Sequence, residues 1–231
     1  MTQIPNTLAM PLYHGTSTVF LEGIRHAGLG GLDPIKEWDV LALATRVLAL
    51  SEAHLQQNKL FQRWRNAFVS MVRQDSGQMN WQHGQPYLSP SLKTAIRYAI
   101  NKKYGSELLS YTLELLAELV RLEQPEVVQD LYQEHRRLFG LLDASPAPLV
   151  IEATAIPVDA LRTEHGAPPD SQIETLAGLA NQPDLLEALG QQLNFRLLGA
   201  HPSAKLTFWF VNVLRWHHLS PETQLYRLQV T

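Results

Sequence analysis

The stretch Leu12-Tyr13-His14-Gly15-Thr16-Ser17 runs on into Phe20-Leu21-Glu22-Gly23-Ile24-Arg25-His26-Ala27-Gly28-Leu29. An extended apolar entry meets a His-Gly pair. The spacing then predicts a short amphipathic helix with Phe20, Leu21 and Ile24 on one face. Gly28 stands where that helix stops, because glycine tolerates the backbone turn that ends a helix. Glycine directly after histidine has a second consequence: with no Cβ, a ligand can approach the Gly15 backbone. Taken alone, the stretch is as much a strand end with a hydrogen-bonded buried histidine as a small-molecule cradle.

Working outward, Gly30 to Pro34 is a loop by composition. Glu37 to about Arg73 repeats apolar residues at helical spacing (Trp38, Leu41, Leu48, then Leu60, Trp64, Phe68), with an interruption near Gln56-Gln57-Asn58. Arg46, Lys59, Arg63, Arg65 and Arg73 decorate it, either as a solvated helix face or as a patch for a polyanion. Gly77 to Pro90 is rich in turn residues, and Gly84-Gln85-Pro86-Tyr87-Leu88-Ser89 reads as a short strand leaving a loop. A helix is expected from Pro90 to Lys102, capped by Ser89 or Ser91 and carrying Tyr98. Two further amphipathic helices follow, Leu108 to Leu122 and Pro125 to Leu142.

From Leu149 the period shortens. A buried strand is expected over Leu149–Ala155, with a turn or short helix at Val158–Leu161. Ile173 to Leu193 reads as helix broken at Pro183. Lys205–Arg215 and Gln224–Val230 read as strands, the last with Leu225, Arg227 and Gln229 on one face and Tyr226, Leu228 and Val230 on the other. The class is α+β, as one domain spanning 1–231 with helical insertions over about 37–73 and 108–142.

Composition bounds the function. The 231 residues are 45% hydrophobic and 18% charged, which is globular, with a formal net charge of −3. No global basic field is present, so a nucleic-acid partner requires a local patch. The absence of cysteine removes disulfides, thiolate metal sites and cysteine nucleophiles. Adjacent His217 and His218 on a strand point to opposite faces, which argues against zinc there. There is no P-loop and no G-x-G-x-x-G fingerprint. No run reaches the ~18 apolar residues of a membrane span, and Met1 to Met10 show no secretory signal. The expectation is a protein acting in the cytoplasm, its own or that of a target cell.

Two stretches carry a resemblance. Tyr13-His14-Gly15-Thr16, with a helix ending in Ala27-Gly28-Leu29, resembles the first motif of the ADP-ribosyltransferase superfamily, in its histidine-tyrosine-glutamate branch. That branch includes poly(ADP-ribose) polymerases and many bacterial toxins and effectors. The second stretch looks like that branch's aromatic motif, with Tyr87, Ser89, Ala95 and Tyr98 in order. The matches cover Leu12 to Leu29 and Gly84 to Ala99.

The resemblance implies a split β-sheet core and NAD as co-substrate. It gives His14 a hydrogen bond to the adenine-side ribose, Gly15 the nicotinamide carboxamide through its backbone, and Thr16 a supporting role in the turn. Tyr87 would shape the nicotinamide pocket and join His14 among the catalytic residues, Ser89 would be a further cofactor-binding residue, and Tyr98 would stack on the ring. Nicotinamide leaves through an oxocarbenium-like state, which a fixed carboxylate stabilises. Glu222 is the candidate acid. Glu152 and Glu164 are rivals, and Gln224 occupies a position where the acid could stand. The implied function is mono-ADP-ribosylation of a protein or nucleic acid, with an inhibitor or antitoxin protein as a further partner. The alternatives are an RNA 2′-phosphotransferase-like enzyme and a non-catalytic module binding NAD or ADP-ribose. The sequence departs from the compact family in the 73 positions between His14 and Tyr87.

Overall fold

The computed structural model describes residues 7–74, 84–122, 125–217 and 221–229. The turn-rich stretch before Gly84, His218 and Val230 lie outside them. The chain forms two compact units: residues 1–32, 85–105 and 146–231 make the first, and residues 33–84 and 106–145 the second. The two segments expected as helical insertions therefore fall together in one unit with its own interior.

In the first unit, β1 (Leu12–Ser17) runs through a 3-10 turn into α1 (Leu21–Ala27). Gly28 follows α1 at φ 82, donating its N–H to the Ile24 carbonyl. In the second unit, α2 (Pro34–Glu37), α3 (Val40–His54) and α4 (Lys59–Arg73) come next, and the break at Leu55–Asn58 falls where the pattern predicts it. The chain returns to the first unit with β2 (Tyr87–Leu88) and α5 (Leu92–Asn101), and to the second with α6 (Glu107–Val120), α7 (Pro125–Glu134) and α8 (Arg136–Gly140). Sequence spacing gives one helix over 125–142. The structure has two, because His135 leaves helical backbone at φ −123, ψ 39. The remainder is β3 (Pro148–Ala153), β4 (Leu161–Thr163), α9 (Asp170–Gly178), α10 (Pro183–Gly190), β5 (Phe195–Leu197), β6 (Leu206–Arg215) and β7 (Glu222–Arg227). The class is α+β with two antiparallel sheets, β1-β3-β6-β7 and β2-β5-β4. β4 and β5 are absent from the sequence expectation, and β7 starts at Glu222 instead of Gln224.

Register fixes the two faces of the large sheet, since directly paired residues share a face and neighbours alternate. His14, Ile151 and Phe208 form one cross-strand row. Their face meets the small sheet in a core of Leu12, Leu149, Ile151, Leu88, Leu161, Phe195, Leu197 and Phe208. Tyr13, Gly15, Val150, Glu152, Trp209 and Leu225 face the other way, where α5 packs through Ala95, Ala99, Leu92, Ile96 and Ile100. Burying these apolar side chains is the main favourable term holding strand to helix.

The second unit is built on α3, α4 and α6. Leu43, Val47, Phe68, Met71, Leu113 and Leu116 are buried, and Trp64 stacks on Tyr111 with centroids 4.6 Å apart. Asn58 caps α4 by accepting from Leu60 and Phe61 N–H, and its Nδ2 donates to Glu118. Of the basic residues expected as a patch, Arg46 pairs with Glu134 and Arg65 with Glu52. Lys59, Arg63 and Arg73 stand exposed on α4. No described helix is long and apolar enough to cross a membrane.

Candidate functional site

The site is an interruption in a β-ladder. Tyr13 and Ser89 exchange both backbone hydrogen bonds, each N–H donating to the other carbonyl at 2.8 Å. On the other edge of β1, Thr18 N–H donates to Ala147 O in register with the β3 ladder. In an antiparallel pair the N–H and C=O of one residue point to the same side, and alternate residues alternate sides. The even-numbered residues of β1 therefore bond β3. Tyr13 and Gly15 direct their groups to the β2 side.

Continuing the Tyr13–Ser89 ladder would pair Gly15 with Tyr87. That pair does not form. Instead the His14 imidazole reaches the Tyr87 carbonyl, Nδ1 to O at 2.8 Å. A carbonyl only accepts, so Nδ1 carries the proton and, in the neutral ring, Nε2 is left as an acceptor. Among the described residues nothing bonds the Gly15 N–H or C=O across this gap. Burial pulls the His14 imidazole below its ordinary value, and the bond to Tyr87 works against that shift. The ring is accordingly neutral near pH 7.

Side chains frame the gap. Thr16 is buried and its hydroxyl donates to the Gly105 carbonyl, which ties the end of β1 to the chain beyond α5. Tyr87 lies on the face of β2 opposite the buried Leu88. Burial pushes its hydroxyl up, nearby Arg196 pulls it down, and Glu164 adds to the rise. Tyr98 sits on α5 one position before Ala99 and three after Ala95, and is 37% exposed.

Two expectations are corrected. The space left by the missing Gly15 Cβ is not open to a ligand, because Ala95 O lies 2.0 Å from where that atom would be. The glycine is required for the close approach of strand and helix. Ser89 does not offer its hydroxyl: the side chain is buried and donates to the Gly190 and Leu193 carbonyls at 3.1 and 3.3 Å. Its backbone, paired to Tyr13, is what marks the end of the ladder.

The carboxylates separate by face. Glu222, Gln224 and Tyr226 share the face of β7 that corresponds to His14 on β1. However, β7 is the opposite edge strand, three strand spacings or about 14 Å from β1. Glu222 pairs with Arg215 beyond a bulge, well past the row through His14. Tyr226 donates its hydroxyl to Gln224 at 2.7 Å. Glu152 is on the α5 face, opposite Tyr13, and accepts from Trp209 Nε1 at 3.0 Å. Glu164 follows β4 and accepts from Asn194. His14 and Gly15 thus meet β2 at Tyr87, with Thr16 on the His14 face, while Tyr98 is carried by α5 on the opposite face and Glu222 stands on the His14 face of a distant strand. Arg196 and Arg162 are close to the site but lie in three-residue strands with no period to expose them.

Among the described residues no group of three or more His, Asp or Glu could hold a metal ion. The chain matches no family model, no curated protein and no solved structure.

Proposed function

We propose that the chain is an NAD-dependent mono-ADP-ribosyltransferase acting on a macromolecular target, built on an ADP-ribosyltransferase-like split sheet. The observation that carries the reading is the missing ladder pair at Gly15. A primary carboxamide offers an acceptor and a donor on neighbouring atoms. These complement the N–H and C=O of Gly15 as a strand backbone would. The nicotinamide of NAD has that group on a flat ring, and this reading gives Tyr87 and Tyr98 the task of packing against it.

Each residue has a defined task. Gly15 fixes the carboxamide. His14, locked by Tyr87 with Nε2 as acceptor, takes a hydrogen bond from a ribose hydroxyl. Glu222 is the carboxylate on the His14 side of the sheet and acts as the negative group facing the charge that develops at the ribose. NAD supplies the group transferred and the nicotinamide that leaves.

A second reading, a module that binds nicotinamide nucleotide without transfer, is favoured by one observation: β7 is the strand furthest from β1. NAD labelled in its adenylate half, incubated with the protein and with mixed protein and nucleic-acid acceptors, separates the two. Transfer of label with release of nicotinamide supports the transferase. Binding without release supports the module. No binding of either NAD or nicotinamide sinks both.

A further inference from the structure

Beside the ladder gap, one row of side chains crosses the small sheet. Tyr87 on β2 pairs with Arg196 on β5, and Arg196 pairs with Arg162 on β4. All three are on the face opposite Leu88, Phe195 and Leu161, which are buried in the core. Two arginines directly across an antiparallel pair bring like charges together, an arrangement that destabilises a sheet. Among the described residues, neither guanidinium has a carboxylate within 4.0 Å. Glu164, the nearest acid in sequence, is held by Asn194 Nδ2 at 2.7 Å.

Arg196 Nε is buried and has no hydrogen-bond partner. Leaving a charged donor buried and unmade is costly. Arg162 is anchored through Nη1 to the Asp159 and Leu161 carbonyls at 2.9 and 2.6 Å, which leaves the rest of its fork available. Gly166, at φ 85, stands next to Arg196 Nη2 where another residue would bring a side chain.

We infer that the Tyr87–Arg196–Arg162 row is a phosphate-binding site, made for the phosphate or diphosphate of a nucleotide whose base end enters the gap at Gly15. A tetrahedral anion between the two forks removes their repulsion and gives the buried Nε region its missing counter-charge. Planar guanidinium forks match phosphate oxygens in pairs, and the Tyr87 hydroxyl adds a neutral donor. The assignment of the ligand as NAD rests on the proposed function. The anion site rests on the row alone.

Calorimetry and thermal unfolding with inorganic diphosphate, nicotinamide and NAD test it, on the wild type, Arg162→Gln, Arg196→Gln and Arg196→Lys, with Arg215→Gln as a control on a different sheet. Diphosphate is expected to bind the wild type and the control and to raise their unfolding temperature. Both glutamine variants should weaken diphosphate and NAD by about tenfold or more, the loss of a charge-assisted bond, and leave nicotinamide unchanged. Arg162→Gln without ligand should unfold no lower than wild type, because a repulsion is gone; a merely structural arginine gives the opposite. If Arg196→Gln does not fold, Arg162→Gln and Arg196→Lys carry the comparison. Diphosphate that fails to bind, or binds both arginine variants as it binds wild type, overturns the site. Arginine-dependent diphosphate binding with no nicotinamide binding keeps the site and overturns the dinucleotide; the phosphate then belongs to an acceptor.

Discussion

His14 Nδ1 donates to the Tyr87 carbonyl at 2.8 Å, and at that bond the pairing of β1 with β2 ends. One residue earlier Tyr13 and Ser89 are fully paired. The histidine takes the acceptor that the next rung would use. The Gly15 donor and acceptor are left facing a gap, and the ring is fixed with Nε2 presented as an acceptor.

That histidine gives stability a pH dependence. His14 and His201 are both held below the ordinary histidine value by burial, each opposed by a backbone hydrogen bond. Between the folded value and the unfolded value near 6.5, the unfolded chain binds more protons than the native one, so stability rises with pH. The contribution is full above that unfolded value and is lost as pH falls through the folded one. Denaturant unfolding from about pH 7.5 to 5 should show this decline. His14→Gln should flatten it in part, leaving the share of His201. An unchanged slope would contradict the burial of His14.

Gly15→Ala should be severe. The new Cβ would meet Ala95 O at 2.0 Å and Ala99 N at 3.0 Å, both backbone atoms that move only with α5. A loss of roughly 3 kcal/mol or more is expected, at the upper end of overpacking. Gly178→Ala in α9, with nothing within 4 Å, should instead be neutral or stabilising. Chemical denaturation compares the pair directly.

Ser91 holds the start of α5, the helix packed against Gly15. Its Oγ accepts from Thr94 N–H at 3.0 Å and donates to Glu187 at 2.5 Å. Ser91→Ala should cost about 1–2 kcal/mol as a lost N-cap. If α5 is part of the ligand site, the same change weakens nicotinamide binding. Equal affinity in the variant would uncouple helix and site.

The acid can be assigned by substitution. Glu222→Gln is expected to lower transfer by about 10²–10³ while NAD affinity stays near wild type, as for loss of an electrostatic group. Glu152→Gln, on the other sheet face and bonded to Trp209, should spare transfer. The reverse pattern in single-turnover assays would move the role to Glu152.

Much of the frame is legible from sequence, because long periodic segments declare themselves. The break before α4, the strands β1, β3 and β6 and the two faces of β7 follow from period and punctuation. What is not legible depends on partners distant in the chain. Leu161-Arg162-Thr163 and Phe195-Arg196-Leu197 are too short to show alternation, and only their pairing makes them strands. Gly15 reads as open space until Ala95 is brought against it. Ser89 has the right residue type for a ligand contact, yet its hydroxyl is spent on carbonyls 101 and 104 positions away.

The nesting of the helical segments within the sheet segments orders the birth of the molecule. Every residue of the helical unit has been synthesised by Ser145, whereas β1 waits for β3 and the sheet is complete only with Arg227. At about 5–20 residues per second, roughly 4–16 s separate these two points on the ribosome. β1 gains β3 within the first eight residues of that interval, by Ala153, whereas β3 waits for β6 and β6 for β7. The residues that frame the gap at Gly15, on β1, β2 and α5, are thus all on the chain long before the far edge strand that carries Glu222.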